Sequence, residues 1–272
     1  MAELVRRRDL STAWCEALAL LVARGGAAVN MNVTFQADAG DEPLVRARLD
    51  ELLAERRNGS VETVANTIFP IGLYAPHLGA GAAQHLYEMH ELAMRMHRRR
   101  APHDRDTYFN RLVAYPTKDG AFNQLDYAVA RLRKQVTLRS ANSSAYELGT
   151  SDPHDLKEYG GAELRIQAPR RDRNFYGFPC LSHISLTLER PRLHLTALYR
   201  NQTFVDRAYG NYLGLSRLLS FICLETGCEA GEVQCTATHA SAQFNEHGKT
   251  RVMRLADDVA AMMRSLEDVA HV

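Results

Sequence analysis

Three residues in the second half of the chain have types and spacings that could do chemistry together: Cys180, Arg200 and Asn211. A thiolate is the nucleophilic form of cysteine, and a neighbouring guanidinium favours it. Arginine also presents a planar fork of donors that can grip a phosphate through two parallel bonds. Asparagine carries one acceptor group and two donors in a plane, which suits the edge of a heterocycle. A thiol, a fixed cation and a planar amide are the parts needed to attack a ring that carries a phosphate. Each residue also has a plainer role. Free cysteines mostly pack in cores, asparagine is a favoured helix N-cap, and an arginine can serve a surface ion pair.

The flanking patterns place these residues at element ends. Residues 182–190 and 193–200 alternate like paired strands with a bend at Arg190-Pro191-Arg192, so Cys180 precedes one strand and Arg200 ends the other. Asn211 opens a helical pattern over 211–226 through Tyr212, Leu215, Leu219 and Ile222, stopped by Gly227. Upstream, the periodicity predicts a helix over 9–24 stopped by Gly25, and a half-buried strand over 27–36 through Val29, Met31, Val33 and Phe35. A helix over 41–57 follows, with Asp41 as N-cap, Pro43 in the first turn and Leu44, Leu49, Leu52 and Leu53 as its apolar face. Residues 61–69 read as a strand closed by Pro70. Helices are predicted over 80–98, with Leu86, Met89, Ala93 and Met96 inward, over 123–135, and over about 253–267. Residues 149–177 read as a long excursion punctuated by Pro, Gly and Asp. The mixture lacks a βαβ rhythm, a glycine-rich fingerprint and a repeat, which predicts an α+β fold in one domain spanning 1–272.

Composition sets the class. The chain has 272 residues, 46% hydrophobic, and a formal net charge of +1, so it carries no global footprint for nucleic acid or membrane. No apolar run approaches the roughly 20 residues of a membrane span. The N-terminal stretch reads as a helix with a glycine stop rather than a signal peptide. Five cysteines without a CxxC pair argue against a disulfide framework, and predict a cytoplasmic protein. His77, His85, His90 and His97 read as members of a surface helix rather than metal ligands, and no metal is expected.

The second half resembles thymidylate synthase. Three blocks carry the resemblance over residues 105–245: Tyr108 with Tyr115-Pro116-Thr117-Lys118-Asp119-Gly120 and Asn123-Gln124; Arg139 with Ser144-Ala145-Tyr146; and Pro179-Cys180, Leu198-Tyr199-Arg200, Gly210-Asn211, Glu229-Ala230-Gly231-Glu232 and Thr238-His239 in order. Residues 1–104 match poorly, and 164–177 are extra, within the excursion at 149–177. The resemblance implies a mixed β-sheet packed with helices, a homodimer through the sheet, and a cysteine that adds to C6 of a pyrimidine nucleoside monophosphate. C5 then takes a one-carbon unit from 5,10-methylenetetrahydrofolate. By position it implies Cys180 as nucleophile, Arg200 and Asn201 at the phosphate, Arg139 donated across the dimer, Asn211 at the base edge and His239 near the sugar. Tyr108 matches a tyrosine of the family's proton-relay region, and Glu88, or failing it Glu91, stands for a catalytic glutamate that has no clean match.

The departures cluster at one end. Leu181 follows the cysteine where the family has histidine, with His183 two further on. Thr203 replaces a folate-side aspartate, Ser241 a sugar-side tyrosine, and the only tryptophan is Trp14. Arg170, Arg171, Arg173, Phe175 and Tyr176 read as a solvated loop or as cover for a second ligand. The pattern predicts a divergent thymidylate synthase-like enzyme that transfers a methyl or hydroxymethyl unit, in modified-nucleotide or nucleoside natural-product synthesis. The alternative is a nucleotide sensor or scaffold that keeps the dimer and phosphate site.

Overall fold

The computed structural model describes residues 3–100, 106–117, 120–137, 161–166 and 179–270. Its frame is a mixed sheet that starts with β1 (Glu3–Arg6) and β2 (Ala27–Gln36) and continues through β5 (Gly161–Arg165), β6 (Leu181–Glu189), β7 (Arg192–Tyr199), β8 (Gln202–Thr203) and β9 (Glu229–Ser241). Spatial order is β1-β2-β9-β7-β6-β5, with β8 on the end of β9. The β6–β7 pair is the expected hairpin, joined through a cis Arg190–Pro191 peptide. β9 then lies parallel to β7. Parallel neighbours need a long crossover, and helix α7 (Tyr209–Thr226) supplies it. That helix is buried on nearly all sides, hence its apolar residues run almost continuously around it rather than in one stripe.

Alternation sorts the sheet into two faces. Ile184, Leu186 and Leu188, Leu193, Leu195 and Ala197, and Val233, Cys235 and Ala237 are buried against the helices. Between them Ser185, Thr187, His194, Thr196, Gln234 and Thr236 fall on the opposite, polar face. In β2 the alternation breaks at Asn30, whose φ of 53° lies in the left-handed region. Met31, Val33 and Phe35 are buried as predicted, but Val29 beyond the break is 60% exposed.

The helix α1 (Leu10–Ala23) is capped by Asp9, whose carboxylate accepts from the Thr12 N–H, and it stops at Gly25 as expected. Helix α2 (Pro43–Glu55) is capped by Glu42, not Asp41, and Leu44 points to solvent while Val45 takes the buried position. The predicted strand at 61–69 is instead helix α3 (Val61–Ile68). Its β-branched residues suggested a strand, yet Val61, Val64, Ala65 and Ile68 repeat at helical spacing and Ser60 caps the first turn. The tertiary reason is α7. A Cβ on Gly210 would meet Val64 Cβ at 2.6 Å, and one on Gly214 would meet the Ala65 carbonyl at 2.7 Å, so the two glycines let α3 lie directly on α7.

Helix α4 (Ala82–Arg100) forms where expected but is turned about its axis. Leu86, Tyr87, His90 and Met94 face inward, and Met89, Ala93 and Met96 face out. His90 is therefore buried, not part of a surface row. Helix α5 (Tyr108–Val113), the hairpin β3 (Tyr115–Thr117) and β4 (Gly120–Phe122), and helix α6 (Gln124–Thr137) follow. Leu125, Ala128, Val129 and Leu132 of α6 are buried as predicted. The chain closes with α8 (Phe244–His247) and α9 (Lys249–Ala270), the latter longer than its predicted span. The strands β1 and β9 were not anticipated, and β5 with Ile166 stands inside the segment read as a long excursion.

Candidate functional site at the Cys180 thiol

Cys180 lies one residue before β6, and its thiol-bearing residue is exposed. The other described cysteines divide differently. Burial pushes the Cys15 thiol up to about 12, with Asp9 adding to the effect, and burial pushes Cys223 up to about 12, with Cys228 adding to it. Cys235 is fully buried and shifted upward for the same reason. Cys228 is half-exposed. Reactivity requires access and a thiolate, so the exposed Cys180 is separated from the thiols that pack.

Arg200 holds the segment that carries the thiol. Its main-chain N–H donates to the Cys180 carbonyl at 2.9 Å, closing the open end of the β6–β7 pair. Its Nη2 donates to the Pro179 carbonyl at 2.6 Å. The Arg200 carbonyl in turn accepts from Thr238 Oγ1 at 2.6 Å, which ties this corner to β9. Next along, His239 Nδ1 lies 2.9 Å from Asn201 Oδ1. The pairing follows from topology: β8 runs beside β9 with Gln202 opposite Ala240, so the preceding residues of the two strands meet. Cys180, Arg200, Asn201 and His239 are thus gathered at one end of the sheet, although 59 residues separate the first from the last in sequence.

Tyr108 comes to the same place from the other half of the chain. Burial raises the pKa of its phenol, and Cys180 acts in the same direction. The main-chain N–H groups of Leu181 and Cys180 and the Arg207 guanidinium favour the phenolate and work the other way. A phenol at the backbone of a thiol can pass a proton or orient a water there.

Asn211 sits in the first turn of α7 and is 4% exposed. It does not cap the helix. The helix is entered through a π-helical turn, Phe204–Ala208, and the residue before Tyr209 is Ala208. Among the described residues no side-chain partner meets the Asn211 amide. The amide of this largely buried residue therefore keeps its donors and acceptor open to something outside the described side chains. Glu88, by contrast, is on the exposed side of α4, where its carboxylate accepts from Gln84 Nε2 at 2.7 Å. Glu91 is paired with Arg95 on the same helix. Arg139, Ser144-Ala145-Tyr146, and Arg170, Arg171, Arg173, Phe175 and Tyr176 lie outside the described residues.

The π-helical turn holds two residues that sequence patterns did not single out. Asp206 is enclosed by polar groups: Asn58 Nδ2 donates to Oδ1 at 2.9 Å, His247 Nε2 lies 2.7 Å from Oδ1, and Gln243 Nε2 donates to Oδ2. The Asp206 N–H donates back to Gln243 Oε1 at 2.9 Å. Arg207, the next residue, is exposed. Its place four residues before Asn211 is the only signal in the sequence that could have marked it.

Among the described residues, two features that the resemblance implies for the folate side are missing: an accessible tryptophan and the carboxylate at position 203. Trp14 is fully buried, donates its indole N–H to the Phe204 carbonyl at 3.1 Å and packs edge-on against Tyr209, so it offers no stacking face to a pterin. Thr203 has no carboxylate to offer. Among the described residues no cluster of three His, Cys, Asp or Glu converges on a metal position. A separate cavity of about 220 Å³ lies along α7 between Leu10, Phe69, Tyr74, Leu213 and Phe221, away from the thiol's neighbours. No described helix is long and apolar enough to cross a membrane.

An α+β fold with a mixed sheet, helices packed on it, and a thiol at the end of a central hairpin is compatible with the thymidylate synthase architecture. No family model matches the chain. Three curated proteins carrying the name "Putative thymidylate synthase" are similar to it. The one from Methanocaldococcus jannaschii is 25% identical over 132 residues, 48% of this chain and 50% of its own. That from Methanococcoides burtonii is 23% identical over 153 residues, 56% and 58%, and that from Methanosarcina mazei 24% over 141 residues, 52% and 53%. The chain thus spans about half the length of the curated relatives it matches. These likenesses support a divergent thymidylate synthase-like family.

Proposed function

We propose that this chain is a divergent thymidylate synthase-like enzyme that activates a pyrimidine nucleoside monophosphate, or a related nucleotide, through a Cys180 adduct. The observation that carries the reading is the exposed thiol at the start of β6, on a segment gripped by the Arg200 main chain and side chain. The Cys180 thiolate adds to C6 of the ring, forming an S–C6 bond. The electron pair of the C5–C6 double bond moves onto C5 and the C4 oxygen. Asn211 meets the ring edge, Arg200 and Asn201 meet the phosphate, and His239, fixed by Asn201, lies toward the sugar. Tyr108 manages a proton beside the adduct. C5, now nucleophilic, is the atom that would receive a methyl or hydroxymethyl unit; release of product then requires loss of the C5 proton and breaking of the S–C6 bond, which returns the Cys180 thiolate.

The family's donor is 5,10-methylenetetrahydrofolate. With the only tryptophan buried in the core and Thr203 in place of the folate-side aspartate, the part assigned to these residues ends at the nucleophilic C5. Loss of the folate side with retention of the thiol side favours a specialised role, such as modified-nucleotide or nucleoside natural-product synthesis. The enzyme would work as a homodimer through the polar sheet face, with Arg139 completing the neighbouring site.

Intact mass tests the reading. The protein is incubated with 5-fluoro-dUMP, 5-fluoro-dCMP and the ribonucleotides, with and without methylene-tetrahydrofolate. A covalent adduct that disappears in Cys180→Ala is the expected result. Nucleotide binding with neither adduct nor proton exchange at C5 would instead favour the sensor or scaffold.

A further inference from the structure

We infer that Arg207 is an anion-receiving residue of the thiol site, taking a phosphate or carboxylate group of the ligand whose ring edge meets Asn211. The inference rests on the proposed reading of Cys180 and Asn211 as one ligand site. Arg207 is the next-to-last residue of the π-helical turn, four residues ahead of Asn211. Side chains four apart on a helix are neighbours, with Cβ atoms about 5–6 Å apart. The Arg207 guanidinium is also within electrostatic reach of Tyr108, on which Cys180 acts as well. Tyr108 thus links the cation to the thiol, and helical spacing links the cation to the amide.

Two observations point from these residues to a ligand. Asn211 is 4% exposed and its amide meets no side-chain partner among the described residues. Arg207 is exposed and, among the described residues, makes no ion pair or side-chain hydrogen bond. Its five donors stay available to bind an acidic group. Fold stability gives no reason for a cation there, because the turn is anchored through its neighbour Asp206. Arg200, assigned to the phosphate above, already commits its Nη2 to the Pro179 carbonyl, so Arg207 adds a second cation for an acidic group. The depth gradient sets the ligand's orientation. A planar ring enters to the buried Asn211, and an acidic group remains at the mouth, about one helical turn away. π-Helical turns are frequent at functional sites.

Calorimetric titration of the full chain tests this. The probes are uridine 5′-monophosphate, dUMP, uridine and 5-carboxyuracil, against wild type, Cys180→Ala, Arg207→Gln and Arg207→Lys, with folding checked by thermal melting. Arg207→Gln should weaken the acidic probe by about tenfold or more, as loss of a charge-assisted fork implies. It should leave uridine unchanged, and Arg207→Lys should retain part of the affinity. Whether the nucleotides or 5-carboxyuracil lose affinity decides between phosphate and carboxylate. Equal affinity in Arg207→Gln, equal loss for uridine, or no binding of any acidic probe to wild type would overturn the proposal. Binding that depends on Arg207 without any Cys180 adduct sinks the enzymatic reading and leaves this one standing. An adduct that forms in Arg207→Gln at unchanged affinity does the reverse.

Discussion

Two polar clusters meet at the π-helical turn before α7, and they differ in kind. On one side Asp206 is saturated by Asn58, Gln243 and His247, which bind the turn to the loop after α2 and to the corner following β9. On the other side Tyr108 feels both Cys180 and Arg207, and the Asn211 amide, four residues beyond Arg207, meets no side-chain partner among the described residues. Adjacent residues, 206 and 207, thus belong to opposite designs. A closed cluster spends its hydrogen-bonding capacity within the chain and holds a shape. An open one leaves that capacity for something that arrives. The closed cluster also explains the open one, because it fixes the turn that aims Arg207 and Asn211.

The sharpest break of this comparison is Cys180→Ala. It should abolish the adduct with 5-fluoro-pyrimidine nucleotides in intact mass, yet shift stability by no more than about 0.5 kcal/mol, as is usual for exposed positions. A comparable loss of stability would move Cys180 to the structural side. Next in size is Asp206→Ala, which strands the buried His247 and Gln243. Urea unfolding should show a loss of about 2–3 kcal/mol, and an unchanged midpoint would mean that the closed cluster holds nothing. Gly210→Ala tests how Asn211 is placed. The added methyl would press on Val64 Cβ and the Val61 carbonyl at 2.6 and 2.8 Å. A cost of about 1–3 kcal/mol is expected for such overpacking, together with weaker nucleotide binding by titration, since Asn211 is the next residue.

The smallest effect concerns Glu62, whose carboxylate accepts two hydrogen bonds from Arg217 at 2.8 Å where α3 lies on α7. The bonds from Arg217 hold its pKa below the ordinary 4.5, against partial burial. A depressed folded pKa stabilises the fold above the unfolded value and loses that contribution as pH falls through the folded one. Its side chain is 45% exposed, so solvent screening limits the pair to about 0.5 kcal/mol. The urea midpoints of wild type and Glu62→Gln should differ slightly at neutral pH and converge below the carboxylate range. A gap that persists in acid would show that packing, not charge, sets the contribution of Glu62.

The hairpin β6–β7, the buried faces of α1 and α6 and the stop at Gly227 were legible because each is a local pattern of period two or 3.6 closed by a recognisable turn residue. The helix α3 was misread as a strand because β-branched residues dominate it, while the glycines of α7 that receive it lie about 150 residues away. The rotation of α4 was equally hidden. Its methionines can serve either face, and what lies inward is decided by the partners of His90 and Met94 rather than by hydrophobicity. β9, the longest described strand at 13 residues, alternates as a strand should, but its small and polar residues gave no cue until the parallel neighbour β7 was in view.

By itself the sequence determined the residues with chemical capacity and the order in which they come: a thiol before a strand, an arginine after its partner strand, an amide at a helix start. These follow from local periodicity and side-chain chemistry, and they were enough to suggest the family. Only the tertiary structure decided which of them share a space. It placed Tyr108 against the Cys180 backbone, paired His239 with Asn201, left Glu88 on the outer side of α4, and turned Asp206 inward and Arg207 outward. The physical reason is that burial, register and helix rotation are set by contacts between distant segments, and no local pattern encodes them.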